Sequence, residues 1–141
     1  VLAAAAAATR RAHDCGLTHG DLTLGNILVT CSDQGELNAL LIDLMHSSLG
    51  RVLVHKPRLA NLVRLYRSAQ KWLPEHDTRR RQRDIVRFLR AYTKCERGET
   101  RRFIESAAGH RGSLFLHRLS WRMGGGAAGR VRRRSTAPAG R

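Results

Sequence analysis

Acidic side chains are scarce in this sequence: 11 Asp and Glu stand against 26 Lys and Arg in 141 residues, a formal net charge of +15. The deficit is uneven. From His110 onward there are eight arginines and no acidic residue, and between Arg58 and Arg90 ten basic residues face only Glu75, Asp77 and Asp84. Such a balance favours anionic partners (nucleic acid, acidic membrane surfaces or phosphorylated ligands) without choosing among them. Cysteine is also sparse. Cys15, Cys31 and Cys95 lie far apart and form no Cys-x-x-Cys pair, and their odd number argues against a disulfide framework and for a reducing compartment. No apolar run approaches the roughly 20 residues needed to span a bilayer. Val1, Leu2 and the six alanines that follow look like the core of a signal sequence, but they lack an initiating Met and a basic leader, so they read as helix. A chain starting at Val reads as a fragment. His13, His46, His55, His76, His110 and His117 show no metal-ligand spacing and read as surface residues. No internal repeat is present.

What the sequence does contain is one domain's worth of apolar residues, 42% of the chain, at a length that supports a real core. Ala3–Ala12 is expected to be helical because Ala has the best intrinsic propensity, with Gly16 as its stop. Thr18–Gly25 reads as a loop. Asn26–Thr30 and Leu37–Leu44 are short apolar runs rich in strand formers, and Ser32-Asp33-Gln34-Gly35 between them is turn chemistry, so the three form a hairpin. Ser47–Pro57 reads as irregular. Leu59, Leu62, Val63, Tyr66, Ala69 and Leu73 recur at helical spacing, with Pro74 as the end of that helix and Asp77 as N-cap of the next. Ile85, Phe88, Leu89 and Tyr92 form the second stripe, broken at Gly98, and Thr100–Ala108 gives a third, shorter helix. Trp72 and Tyr92 are expected in the core, and Cys15 reads as a small buried filler. Residues 1–108 thus make one domain. Residues 109–141, with Gly124-Gly125-Gly126, Trp121 and an Arg-, Ala- and Pro-rich end, read as a basic flexible tail.

The chemistry concentrates in His19-Gly20-Asp21-Leu22-Thr23-Leu24-Gly25-Asn26 and in Leu41-Ile42-Asp43-Leu44. The expected hairpin carries Asn26 at one end and Asp43 at the other and so brings them together. Phosphoryl transfer needs positioning and charge neutralisation rather than covalent help. Asp21 suits the base that orients the attacking hydroxyl and accepts its proton. Asn26 and Asp43, a neutral carbonyl oxygen and a carboxylate, suit a hard cation such as Mg2+ on the phosphates of ATP. Leu22, Leu24 and Ile27 are expected to anchor the loop to the core, and His19 to brace the loop and the metal-binding segment.

His19-Gly20-Asp21-x-x-x-x-Asn26-Ile27-Leu28-Val29 followed by Ile42-Asp43-Leu44 resembles the catalytic loop and metal-binding segment of the protein-kinase-like fold. Two departures matter. Gly20 stands where those sequences usually have Arg, and Asp43 is followed by Leu44-Met45 rather than Phe-Gly. Loss of the Arg is typical of kinase-like enzymes acting on small molecules or sugars. Within the superfamily, Arg58-Leu59-Ala60-Asn61-Leu62-Val63-Arg64-Leu65-Tyr66-Arg67-Ser68 and Phe88-Leu89-Arg90-Ala91-Tyr92 resemble the bacterial lipopolysaccharide kinases, which phosphorylate Kdo or heptose of the lipid A core. Those enzymes often carry Asp where Asn61 stands.

The resemblance implies a mainly α, α+β fold: the helical C-terminal lobe of a kinase, with a short hairpin bearing the metal ligands. It implies an ATP- and Mg2+-dependent phosphotransferase on a sugar hydroxyl, with an anionic glycolipid or sugar as substrate. It also implies a cytoplasmic location, peripheral to the anionic inner membrane. The glycine-rich loop and Lys–Glu pair of such enzymes belong to an N-terminal lobe that nothing before Asp21 supplies. The chain alone is therefore expected to lack activity. Two other readings stand beside this one: an aminoglycoside- or choline-type phosphotransferase, and an inactive relict lobe acting as a basic anion-binding module. No nucleic-acid-binding signature is recognised, so no specific nucleic acid is expected.

Overall fold

Six consecutive alanines do more than favour helix. Their small side chains let α1 (Leu2–Asp14) run through the middle of the domain, with Ala5, Ala6, Ala8 and Thr9 buried against its neighbours. The structure, a computed structural model, describes residues 1–51, 53–72 and 78–108. After α1 come β1 (Leu17–Thr18), a single 3-10 turn (Leu24–Asn26), β2 (Ile27–Cys31), β3 (Leu37–Leu41), β4 (Ser48–Leu49) and three further helices, α2 (His55–Trp72), α3 (Thr78–Tyr92) and α4 (Arg97–Ala108). The mainly helical α+β expectation holds.

α1 stops where expected. Gly16 takes φ +84° and its N–H bonds the His13 carbonyl. A Cβ at Gly16 would also strike the Gly50 carbonyl, because β1 pairs antiparallel with β4 at this point. β2 and β3 form the expected hairpin, with Ile27 opposite Leu41 and Cys31 opposite Leu37. Its turn is closed by Ser32, whose backbone exchanges bonds with Glu36 and Gly35 and whose Oγ accepts the Glu36 N–H. α1 packs on α3 and on β3. The core joins Leu59 and Leu62 of α2 with Leu89 and Tyr92 of α3 and Phe103 and Ile104 of α4. Burying each such side chain stabilises the fold by about 1.5–3 kcal/mol. Ion pairs tie the helix ends: Asp14 takes Arg58 at 2.8 Å and Arg10 at 2.9 Å, and Arg10 also reaches Glu99.

Several expectations need correction. Ser47–Pro57 is not wholly irregular. It contains β4 and the first turn of α2, where Pro57 fits because N–H groups in a first turn have no helical partner. Gly98 does not break the second stripe. α3 ends at Tyr92, Lys94 and Cys95 reverse the chain in left-handed conformation (φ 52° and 63°), and Gly98 lies in the first turn of α4. There the Glu96 carboxylate accepts the N–H groups of Gly98 and Glu99, which makes it the cap. Trp72 is 76% exposed, because α2 outruns the core it packs on. Cys15 is exposed at the C-terminal cap of α1. Pro74, Asp77 and the tail 109–141 lie outside the described residues. Among those described, no helix is long and apolar enough to cross a membrane.

Candidate active site

The loop after α1 is held from inside by His19, whose side chain is buried. Its ring makes two contacts. Nδ1 accepts the backbone N–H of Asp21 at 3.1 Å, and Nε2 donates to the Ile42 carbonyl at 3.0 Å. The first contact leaves Nδ1 unprotonated, so the ring proton sits on Nε2. One imidazole therefore links the residue that carries Asp21 to the segment that leads into Asp43. Asn26 closes the loop on itself: its Nδ2 donates to the Asp21 carbonyl at 2.8 Å. Across the hairpin end, the Ile42 N–H bonds the Asn26 carbonyl at 3.0 Å, which sets Asn26 beside the residue that precedes Asp43. Asp43 sits at φ +58°, a left-handed conformation that Asp tolerates better than most residues. The chain leaves β3 there and turns back through a bond from the Ser47 N–H to the Leu44 carbonyl.

His19 is anchored in turn by Asn61 of α2. The Asn61 Oδ1 accepts the His19 N–H at 2.9 Å, and its Nδ2 donates to the His19 carbonyl at 3.0 Å. That amide orientation is fixed from behind. His13 Nε2 lies 3.2 Å from the Asn61 Oδ1, and His13 Nδ1 lies 2.7 Å from the Tyr92 hydroxyl. Because Oδ1 only accepts, His13 donates from Nε2, and Nδ1 is left to accept the Tyr92 O–H. His13, Asn61, His19 and Tyr92 are all buried. Burial, together with the nearby Arg58 and Arg10, pushes the His13 pKa down to about 4, against a raising contribution from its bond to Asn61 and the Asp14 charge. Burial pushes the Tyr92 hydroxyl up to about 12. His13 and Tyr92 are therefore both uncharged at neutral pH. His13, expected at the surface, is thus among the most buried side chains of the described residues.

Gly20 has a steric reason. A Cβ there would run into the backbone carbonyl of His46, so the loop and the segment after Asp43 lie in contact with no room for a side chain between them. Leu22 is fully buried and anchors the loop as expected; Leu24 is 40% exposed and Ile27 half-buried. The Leu24 N–H bonds Ser68 Oγ of α2 at 3.0 Å. Asp21 is open to solvent, and Arg64 Nη1 of α2 lies 3.3 Å from its Oδ1. An apolar cavity of about 250 Å3 opens between the helices, lined in part by Leu62, Ile85 and Phe88. None of Asp21, Asn26 and Asp43 lines it. Among the described residues, no group of three or more His, Cys, Asp or Glu side chains is arranged to hold a metal ion.

The sequence-chosen residues therefore fall in one place. Asp21 and Asn26 are in contact, Asp43 is adjoining by backbone register, and His19 touches both sides. Arg64, Ser68, His13 and Tyr92 were missed. The first two occupy one flank of α2, at i+3 and i+7 from Asn61, the spacing that repeats along one side of a helix.

Comparison with known proteins defines the class first. A family model described as "Lipopolysaccharide kinase (Kdo/WaaP) family" matches residues 1–92, more than half of the sequence, and these are kinases that act on lipopolysaccharide. The chain belongs to the lipopolysaccharide kinase (Kdo/WaaP) family. A solved structure titled "WaaP in complex with acyl carrier protein" is similar, with a TM-score of 0.58 and 22% identity over 86% of this chain. At that identity the likeness is one of fold. The chain spans about half, 46%, of the WaaP chain it matches. No curated protein sequence matches.

Proposed function

We propose that this chain carries the base and the metal-binding residues of an ATP-dependent kinase that phosphorylates a sugar hydroxyl of the lipopolysaccharide core. One observation supports this most: a single buried ring, His19, bonds both the Asp21 N–H and the Ile42 carbonyl, so the base and the Asp43 segment are positioned as a unit. Asp21 orients the acceptor hydroxyl and takes its proton at the carboxylate, which is open to solvent and therefore reachable. Asn26 and Asp43 would hold Mg2+. Their hard oxygens fit that ion, and two protein donors suit a cation that takes its remaining ligands from phosphate and water. When bound, the ion neutralises charge on the transferring phosphoryl group. The basic helices fit an anionic membrane face, where a glycolipid acceptor is anchored.

The test uses the intact protein and measures transfer of radiolabel from ATP to a Kdo-bearing lipid A precursor. Asp21→Asn is expected to lower kcat by about 10²–10⁴-fold, the range for a general base, with the KM for ATP little changed. Retained activity sinks the assignment. An aminoglycoside- or choline-type acceptor fits less well, since cationic substrates call for acidic surroundings and α2, which borders Asp21, has no acidic residue along its length. A relict anion-binding module instead requires tight, salt-dependent nucleic-acid binding.

A further inference from the structure

α2 meets the loop at three successive points. Asn61 holds the His19 backbone, Arg64 reaches the Asp21 carboxylate, and Ser68 receives the Leu24 N–H. The first and last are short, well-aligned anchors at 2.9–3.0 Å. The middle one differs in kind. It is a single guanidinium contact of 3.3 Å between side chains that are 53% and 51% exposed. That is long for a charge-assisted bond, and exposed pairs of this sort add little to stability. The loop is already fixed by Asn61, Asn26 and His19, so folding does not require Arg64 at this place.

The pair also opposes the work of a base. The incoming hydroxyl has to take the oxygen that Arg64 now occupies. Once displaced, the guanidinium still hangs beside the reacting centre with its donors unsatisfied. Its best partner there is a planar or tetrahedral oxyanion bound through two N–H groups. The surroundings favour such a group. Arg67 and Lys71 follow Arg64 at i+3 and i+7 on the same exposed stripe, and no acidic side chain of α2 offsets them.

We propose that Arg64 is the acceptor-specificity residue, exchanging the Asp21 carboxylate for an anionic substituent that the acceptor carries next to its reacting hydroxyl, so that the substrate is an acidic sugar and not a neutral one. This rests on the kinase reading above and deepens it. Kdo bears a carboxylate and heptose bears none, so the exchange selects between the two sugars considered for the family. A phosphate on a neighbouring position offers the same oxyanion chemistry.

The experiment compares wild-type intact protein with Arg64→Ala, Arg64→Gln and Arg64→Lys, by calorimetric binding and by kcat/KM. The acceptors are the methyl glycosides of Kdo, of carboxyl-reduced Kdo, of heptose and of a heptose phosphate. Wild type is expected to prefer the acidic sugar about 10–100-fold, the worth of a charge-assisted bond pair. In Arg64→Ala and Arg64→Gln that ratio falls to near one through the KM of the acceptor, and Arg64→Lys restores part of it. Preference for the heptose phosphate over the carboxylate, with the same dependence on Arg64, also supports the proposal and names phosphate as the source. Equal losses for acidic and neutral acceptors, or a wild type that does not discriminate, overturn it. Arg64-dependent binding of the acidic sugar without transfer to any acceptor sinks the kinase reading and leaves the subsite standing. Transfer without acid preference does the reverse.

Discussion

The two sides of the site are held by different physics. The side with Asp21 hangs on four buried polar side chains, Tyr92, His13, Asn61 and His19, each bonded to the next. The side with Asp43 is the end of a two-stranded ribbon, where Ala39 alone is fully buried and Leu28, Leu37 and Leu40 are exposed. A buried network fixes geometry because every member left unpaired costs about 1–3 kcal/mol. An isolated two-stranded ribbon is marginal in water and takes its order from whatever it touches, here α1 against Ala39, the bond from His19, the bond from Asn26 to the Asp21 carbonyl and the β1–β4 pairing that follows Asp43. Asp21 is therefore built into the helical part, and the Asp43 segment is aligned to it through the His19 ring and the contacts beside it, the β1–β4 pairing and the close approach of Gly20 to His46.

The largest expected effect tests the anchored side. Asn61→Leu keeps the volume and removes the amide, leaving the His19 N–H, the His19 carbonyl and the His13 N–H without partners. Urea unfolding at neutral pH is expected to show a loss of about 3–5 kcal/mol, a large share of the roughly 5–15 kcal/mol that holds a domain together. A loss below about 1 kcal/mol breaks the contrast between the two sides, since water would then be replacing the network.

Acid acts on the same network more gently. His13 titrates near 4 when folded and near 6.5 when unfolded. The unfolded chain thus takes up the proton first. The stability this provides is complete above pH 6.5 and declines as the pH falls towards 4, by about 3 kcal/mol in all. Asp14 works in the same direction. Its burial opposes ionisation, yet the bonds from Arg58 and Arg10 outweigh that and hold its carboxyl below the ordinary value, so its contribution also fades in acid. Thermal melts of wild type and His13→Gln from pH 7 to pH 4 separate the two. The Gln variant should retain the Asp14 slope and lose the His13 part. An identical slope in both proteins removes His13 from the account.

How much of this was written in the sequence follows from the range of the interactions involved. The helix stop at Gly16 and the hairpin around Ser32–Gly35, which brings Asn26 beside the residue before Asp43, depend on residues a few positions apart, and each was legible; the bond from Asn26 to the Asp21 carbonyl was not foreseen. The His19 brace was legible from the chemistry of the motif. The buried status of His13 was not, because Arg10, Arg11 and Asp14 around it make a polar stretch. Of the buried residues of α1, Ala5 and Thr9 lead to His13 at i, i+4 spacing, and with two polar members that stripe does not read as apolar. Arg64 was invisible for a related reason. Its partner is 43 residues away, and nothing local separates it from the other exposed arginines of α2. Trp72 misled because periodicity says which side of a helix a residue is on and not how far along the helix the core extends.

The smallest expected effects sharpen the ribbon side. Ala39 and Leu40 are neighbours on β3 and project to opposite faces, one buried against α1 and the other 54% exposed. Ala39→Leu pushes three extra carbons into a filled space and is expected to cost about 1–3 kcal/mol. Leu40→Ser is expected to change stability by about 0.5 kcal/mol or less, the range for surface positions. The pair of values is informative because the same strand carries both. If Leu40→Ser costs as much as Ala39→Leu in the intact protein, the outer face of the ribbon is packed against another part of that protein. The Asp43 side would then be held from without, as firmly as the Asp21 side is held from within.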